Sequence, residues 1–464
     1  MTTKAKYGSL GVVLVVLVLA IAGALFWFLS QKKTTITVLG EKLNTTSAME
    51  SIVNEYEKER HGTIHVKFVT EDYVTMDRLA SDDLANKTAV YDLILQYNTA
   101  LYTYVREKYV YTLQDLEDPN TEGRLRLPEM SNDVRRLEND LFPRTWREVG
   151  FYKDSNGKYA PVAIPFSANT MLLCYNKRLF NDPRHRAAYE AKYHEPLAPP
   201  RTWRQFENIA QYFQNPPYSY GLVMQGDKYW IYYEWVNFAF GMGGGVMQKD
   251  YGWDTDATTP LILTKPETID ATNLYQRLLR YNASGDFFNT DNYKQRDRMK
   301  KGDVAMAIMW SDVLYDFVQS SEPGKLDDRF GFEPIPGEKS LLAGGSFYIN
   351  RNSKHVKEVE DFMLWLTEPS QQAKLLSRGL CSPSRGAYDD PQAKALPYVD
   401  ALHRSLERGV YMMEAGPDAD AIEVKISDEL QRMFREKLTA QHVLTETEQD
   451  VDATRREIFR QLKK

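Results

Sequence analysis

The chain has 464 residues, 43% hydrophobic and 12% aromatic, with a net charge of −6. That length predicts about two to four domains, and the aromatic content excludes wholesale disorder. The mildly acidic balance offers no basic field for nucleic acid, and two cysteines exclude a disulfide-dense scaffold or a multi-cysteine metal cluster.

Residues 10–29, LGVVLVVLVLAIAGALFWFL, carry no charge. A helix of that length spans roughly 30 Å, the hydrocarbon thickness of a bilayer. Lys4 and Lys6 precede it, Phe26-Trp27-Phe28 closes it with interface-seeking rings, and Lys32 and Lys33 follow. The run is longer than the core of a cleavable signal, and its one A-x-A pattern, Ala22-Gly23-Ala24, lies inside it. Residues 1–33 are therefore expected to be an uncleaved membrane anchor with one transmembrane helix, the alternative being a cleaved signal segment, followed by a soluble part on one side of the membrane.

Strand and helix signals then alternate. Thr35–Leu39 reads as a strand. Ser47 opens S-A-M-E, a capping box with Glu50, and His61-Gly62 stops that helix. Thr63–Val69 is a strand, Thr75–Asn86 a helix, Val90–Leu95 a strand and Ala100–Glu107 a helix. This rhythm predicts an α/β fold with a largely parallel sheet. It restarts after residue 158, with strand-like Ala160–Phe166 and Met171–Tyr175. Thr202 opens a second capping box, T-W-R-Q, before an apolar face of Trp203, Phe206, Ile209, Ala210 and Phe213. A short strand at Gly221–Gln225 precedes an aromatic helix at Tyr229–Phe240 and another helix at Pro266–Tyr281. Val304–Trp310 reads as a buried strand, and Phe330–Ile335 and Ser346–Asn350 as strands around a Pro-Gly turn. Val356–Thr367, Pro369–Ser377, Ile422–Leu438 and Thr445–Leu462, the last opened by T-E-T-E, read as helices. No low-complexity linker divides the chain, so its parts are expected to be joined by strands.

Catalytic patterns are missing from the sequence. His185 and His194 flank Glu190 on a polar helix and read as a solvated face rather than a metal site. Gly241–Gly245 follows a helix, and position 246 is Val, so it reads as a helix stop rather than a phosphate loop. The neighbouring acids Asp82-Asp83 and Asp327-Asp328 read as solvated. Tyr232-Tyr233 reads as core packing, and Cys174 and Cys381 as free buried thiols, with a single disulfide between them as the alternative in an exported domain. What stands out is aromatic and amide residues near strand ends and turns: Asn98, Ser167, Asn169, Tyr229, Trp230, Trp235, Trp253 and Trp310. Flat rings match the C–H faces of sugars, and planar polar groups match paired hydroxyls.

Several short motifs occur in an order that resembles the extracellular solute-binding proteins of ABC importers, in particular the carbohydrate-type, maltose-binding-protein-like group. They are Tyr91-Asp92-Leu93-Ile94-Leu95, Ile164-Pro165-Phe166 through Tyr175-Asn176-Lys177, and Pro200-Arg201-Thr202-Trp203-Arg204-Gln205-Phe206. Gly302-Asp303-Val304-Ala305-Met306, Pro334-Ile335-Pro336-Gly337 with Gly344-Gly345, and Gly379-Leu380-Cys381-Ser382-Pro383 complete the series. The family pattern has an acid where Gln205 stands.

The resemblance implies a two-lobed periplasmic-binding-protein fold with discontinuous lobes joined by hinge strands. Lobe one would be 34–164 plus 345–380, and lobe two 165–344 plus 381–464. It implies a sugar or oligosaccharide bound in the interlobe cleft by Glu41, Asn98, Ser167, Trp235, Trp310, Asp312, Gly345, Ser346 and Arg385. No catalytic residue, metal or cofactor is implied. The partners would be permease subunits of the cell membrane, with the soluble part periplasmic or extracellular. Many relatives are released or lipid-anchored, whereas this chain is expected to keep its helix. The alternative is a membrane-anchored sensor or scaffold using the same fold, and an exported enzyme would require an acid–base pair that the sequence does not display.

Overall fold

A computed structural model describes residues 33–117, 130–153, 159–248, 258–283, 285–322, 324–408, 411–412 and 416–462. The apolar run 10–29 and Trp253 lie outside the described residues. Among the described residues no helix is long and apolar enough to cross a membrane.

The strands are β1 (Thr34–Glu41), β2 (Ile64–Glu71), β3 (Leu93–Tyr97), β4 (Val110–Tyr111), β5 (Phe151–Lys153), β6 (Tyr159–Pro161), β7 (Ile164–Pro165), β8 (Asn169–Asn176), β9 (Tyr220–Leu222), β10 (Val304–Trp310), β11 (Phe330–Pro334), β12 (Leu341–Ala343), β13 (Gly345–Asn350) and β14 (Tyr411–Met412). They form two large sheets. The first runs β2-β1-β3-β13-β4, with β7 also on β13. The second runs β14-β12-β8-β10-β9, with β11 also on β8. The small β5-β6 hairpin stands apart.

Alternation builds the first sheet. Ile36 and Val38 of β1, Leu93 and Leu95 of β3, and Phe347 and Ile349 of β13 enter one apolar cluster. Leu39, Ile94 and Tyr348, one residue out of phase, enter the cluster on the other face. Successive strand side chains point to opposite faces, so both faces are covered. In the second sheet β10 is buried at every position, as its uninterrupted apolar run requires.

The helices that bear on the site are α1 (Asn44–Glu50), α2 (Tyr73–Asn86), α3 (Met130–Asp140), α4 (Pro143–Gly150), α5 (Ile231–Gly241), α6 (Pro266–Leu278), α7 (Asn292–Lys300) and α8 (Ala419–Glu436). The 3-10 turns Asn98–Ala100 and Ser311–Val313 follow β3 and β10.

The chain passes between the sheets at three neighbouring places. It leaves through β7 into β8, returns from β12 into β13, and leaves again at Leu380-Cys381, where Leu380 joins the first sheet's cluster and Cys381 the second's. The crossings are stitched together. Phe166 N–H donates to the Gly345 carbonyl at 2.8 Å, and Ala168 N–H to that of Cys381 at 2.8 Å. A Cβ on Gly344 would stand 2.4 Å from the Ser167 carbonyl oxygen, so only glycine allows so close an approach.

Several local expectations need correction. The S-A-M-E box is unused: α1 begins at Asn44, close behind β1, and Leu43 at its N-cap gives no side-chain bond. T-E-T-E lies inside the last helix, Ala440–Gln461, whose start is capped by Thr439 accepting from His442 N–H at 3.3 Å. The acidic pairs divide rather than both facing water. Asp83 is buried, accepting from Val90 N–H at 2.8 Å and Asn350 Nδ2 at 3.0 Å, which pins the turn after α2. Asp327 pairs with Arg329 at 2.6 Å, while Asp82 and Asp328 are exposed. Thr202 does form a capping box with Gln205. Gly241–Gly245 does end α5, with Gly244 N–H donating to the Ala239 carbonyl at 2.8 Å. Both cysteines are free and buried.

Candidate functional site

The two sheets present their edges to one another. In the first, β1 and β3 run parallel and end side by side, at Glu41 and at Tyr97-Asn98. In the second, β8 begins at Asn169 where antiparallel β10 ends at Trp310, and Asp312 follows in the 3-10 turn. Carboxyl ends of strands are where open α/β sheets bind ligands.

These edges meet at the crossing. Asn98 N–H donates to the Gly344 carbonyl at 3.3 Å. Asn169 pairs in register with Ala343, the residue before it. Asn169 Nδ2 then donates to Asp312 Oδ2 at 3.0 Å. The turn holding Asp312 is fixed through Ser311, whose Oγ accepts from Thr170 N–H at 3.1 Å and from the Cys381 thiol at 3.3 Å. That turn packs against α1, which follows Glu41.

That packing brings Glu41 and Asp312 near enough for the charge of one to act on the other. Tyr97 donates its hydroxyl to Glu41 Oε2 at 2.5 Å. Tyr293 of α7, on the opposite side, lies near enough for its hydroxyl to favour the ionised Glu41. Burial pushes the Glu41 carboxyl up to about 7, and the charge of Asp312 adds to the rise. Burial pushes Asp312 up to about 6, against backbone N–H groups of its own turn that hold it down. Removing a carboxylate from water disfavours its charged form, which is the larger effect in both.

Four side chains here keep buried polar atoms without a partner: both amide atoms of Asn98, Asn169 Oδ1, Trp310 Nε1 and Asp312 Oδ1. A buried polar atom left unpaired costs about 1–3 kcal/mol. Others occur inside the first lobe, such as the Tyr104 and Tyr348 hydroxyls and the Glu148 carboxyl. At the sheet edges such atoms share one chain of contacts, from Asn98 through Gly344 and Asn169 to Asp312.

Aromatic rows flank these polar groups. Trp310 meets Tyr233 edge-on at 5.6 Å, and Tyr233 meets Trp230 at 6.2 Å. On the other side Tyr97 lies 5.8 Å from Tyr73 and 6.3 Å from Phe166.

The remaining sequence candidates separate. Ser167, Gly345 and Ser346 belong to the crossing. Ser167 Oγ accepts from Gly345 N–H at 3.1 Å, and the Ser346 hydroxyl donates to the Val149 carbonyl at 2.6 Å, so both hydroxyls are engaged. Trp235 has no exposed surface and donates to Thr272 Oγ1 of α6 at 2.8 Å. It is a core residue, because its position on α5 faces α6 and not the sheet edge. Arg385 donates to the carbonyls of Asn139 and Asp140 at the end of α3, and no ligand group is needed to explain it. Of the Tyr232-Tyr233 pair expected in the core, Tyr232 is buried there, whereas Tyr233 is half-buried, meets Trp310 and donates its hydroxyl to Glu423. His185 bonds Tyr212 at 3.1 Å, and among the described residues no group of three or more His, Cys, Asp or Glu is placed to hold a metal ion.

Sequence reasoning missed Tyr97 and Tyr293. Tyr97 directly precedes Asn98 at a strand end and carries that signal. Tyr293 sits in a polar helix, NYKQRDRMK, and only the tertiary fold brings it to Glu41.

The family model for bacterial extracellular solute-binding proteins matches residues 51–401. Among curated proteins none matches the sequence. Several solved structures share the fold. An ABC transporter solute-binding protein of Agrobacterium radiobacter K84, in complex with ribitol, is 19% identical at a TM-score of 0.72, over 91% of this chain and 99% of that one. Maltose-bound MalE3 of T. maritima is 15% identical at 0.71, over 91% and 100%. UgpB of Mycobacterium tuberculosis, in complex with glycerophosphocholine, is 18% identical at 0.66, over 91% and 98%. At these identities the likeness is one of fold.

Proposed function

This chain belongs to the bacterial extracellular solute-binding proteins, and from that premise we propose that it is the substrate-binding component of an ABC importer for a sugar or polyol. The reading is carried by the unpartnered amide, indole and carboxylate atoms of Asn98, Asn169, Trp310 and Asp312 at the facing sheet edges. Such a set offers donors and acceptors to hydroxyls, and the rings of Tyr97 and Trp310 supply flat apolar walls. The described residues have solved relatives in fold that hold ribitol, D-mannitol, α-D-tagatose and maltose.

The lobes are taken as 34–164 plus 345–380 and 165–344 plus 381–464, hinged at the crossings. A ligand touching both edges stabilises the closed form by its differential affinity for that form. The closed protein then docks on its permease. Residues 10–29 hold the soluble domain at the outer face of the membrane as a single-pass anchor. Retention of the full-length chain in the membrane fraction after alkaline extraction supports that anchor, and release into the supernatant overturns it.

The test is a thermal and tryptophan-fluorescence titration of the full-length protein in nanodiscs with ribitol, mannitol, tagatose and maltose. A ligand at a hundredfold its Kd adds about 2.7 kcal/mol of stability. Asn98→Ala is expected to abolish the response while leaving the unliganded midpoint in place. Absence of any response across a broad sugar and polyol panel overturns the reading.

A further inference from the structure

Resting on that reading, we infer that the guest is a cationic polyol, an amino sugar or amino alditol, because Glu41 and Asp312 confront it from opposite edges and no cation among the described residues answers them. The charged groups acting on Glu41 are Asp312 and Asp72, both acids. Asp72 itself caps α2, accepting from Thr75 N–H at 3.1 Å and the Thr75 hydroxyl at 2.7 Å. Lys42, next in sequence, is exposed. Nothing cationic acts on Asp312. Around Tyr293 of α7 the charged groups are Glu41, Asp312, Asp291 and Arg296. The Arg296 guanidinium lies 5.6 Å over the Tyr293 ring, but its ion pairs are with Asp297 at 2.9 Å and Asp316 at 3.9 Å, not with Glu41 or Asp312.

The donors around the two acids are few and neutral. Glu41 receives the phenol of Tyr97, with that of Tyr293 nearby, and Asp312 receives Asn169 and the backbone of its turn. Asp312 Oδ1 receives nothing and is buried with 8% exposure. A neutral polyol brings hydroxyls to this space but leaves two like charges facing one another in a poorly solvated gap, so one must hold a proton. An ammonium brings three donors and the missing charge. Asn98, Asn169 Oδ1 and Trp310 Nε1 then read the hydroxyls. An anionic sugar phosphate meets repulsion from both sides.

The sign of the pH dependence follows. A cation binds the ionised carboxylates, so its binding releases the proton they hold. With Glu41 raised to about 7 and Asp312 to about 6, amine affinity rises between pH 5 and pH 8. A neutral guest gains nothing from ionisation.

The experiment uses matched probes on the full-length protein in nanodiscs, by calorimetric titration: D-glucamine against D-glucitol, and D-glucosamine against D-glucose. The amine of at least one pair is expected to bind more than tenfold tighter than its neutral twin at pH 8, and within about threefold at pH 5. Asp312→Asn is expected to remove that preference without lowering the unliganded midpoint, and Glu41→Gln gives the same reading should the first variant misfold. Equal or tighter binding of the neutral twins, or of glucitol 6-phosphate, overturns the cationic guest and leaves sugar or polyol binding standing. Spermidine, cationic without hydroxyls, is expected to bind at least tenfold more weakly than glucamine. Spermidine binding with no polyol response overturns both readings.

Discussion

The interior of the second lobe and its edge hold the same pair of residue types in opposite states. Inside, Glu234 accepts from Gln225 N–H at 2.9 Å, Tyr275 at 3.0 Å and Gln295 at 3.0 Å, and Trp235 donates to Thr272. At the edge, Asp312 keeps one oxygen unpartnered and Trp310 its indole N–H. All four are buried, so burial does not separate structure from function here. Satisfaction separates these four: Glu234 and Trp235 have the partners just named, whereas Asp312 Oδ1 and Trp310 Nε1 have none.

The largest expected effect breaks the interior half of that comparison. Trp235→Ala opens a cavity in the core and is expected to cost about 3–5 kcal/mol, read as a lower denaturation midpoint. Trp310→Phe removes an N–H that has no partner and is expected to change stability by less than about 1 kcal/mol while weakening ligand binding. The reverse pattern, an unstable Trp310→Phe and a ligand-blind but stable Trp235→Ala, would return Trp235 to the site.

Titration sharpens the comparison at the carboxylates. Burial pushes Glu234 up to about 8, outweighing its three donors, and Glu360 is also raised to about 8 by burial. In the unfolded chain a glutamate ionises near about 4.3. The folded state therefore keeps protons that the unfolded state has released, and stability falls as pH rises from about 4.5 to about 8. The expected loss is at most on the order of 5 kcal/mol for each carboxyl, measured by urea unfolding without ligand, with a shallower slope in Glu234→Gln. A flat profile over that window would mean that the interior carboxylates are ionised and fully compensated.

The two tryptophans also show how far sequence reaches. Local signals located β10, whose apolar run lies between Asp303 and Ser311, and the helix Pro369–Ser377, begun by proline at its first turn. Glu41, Asn98 and Asp312 could be expected near one another because each lies at or just after a strand end. Trp235 and Trp310 both sit in apolar stretches, and nothing local says which indole finds a partner, since Thr272 lies on another helix. The same limit hid Tyr293 and buried Asp83, whose partner Asn350 is 267 residues away.

The smallest expected effect is at Arg385, where a charged side chain in a Ser-Pro-Ser-Arg loop invites a ligand role. Its Nε donates to the Asp140 carbonyl at 3.2 Å, its Nη2 to that of Asn139, and its own N–H to Asp140 at 2.9 Å. These carbonyls end α3, where a helix leaves acceptors unsatisfied and carries partial negative charge. The guanidinium is exposed, so the gain is screened by solvent. Arg385→Ala is expected to lower stability by about 0.3–1 kcal/mol, with the ligand titration unchanged. Loss of the ligand response at an unchanged midpoint would instead move this loop into the site and extend the unsatisfied edge from the turn at Asp312 to the third crossing.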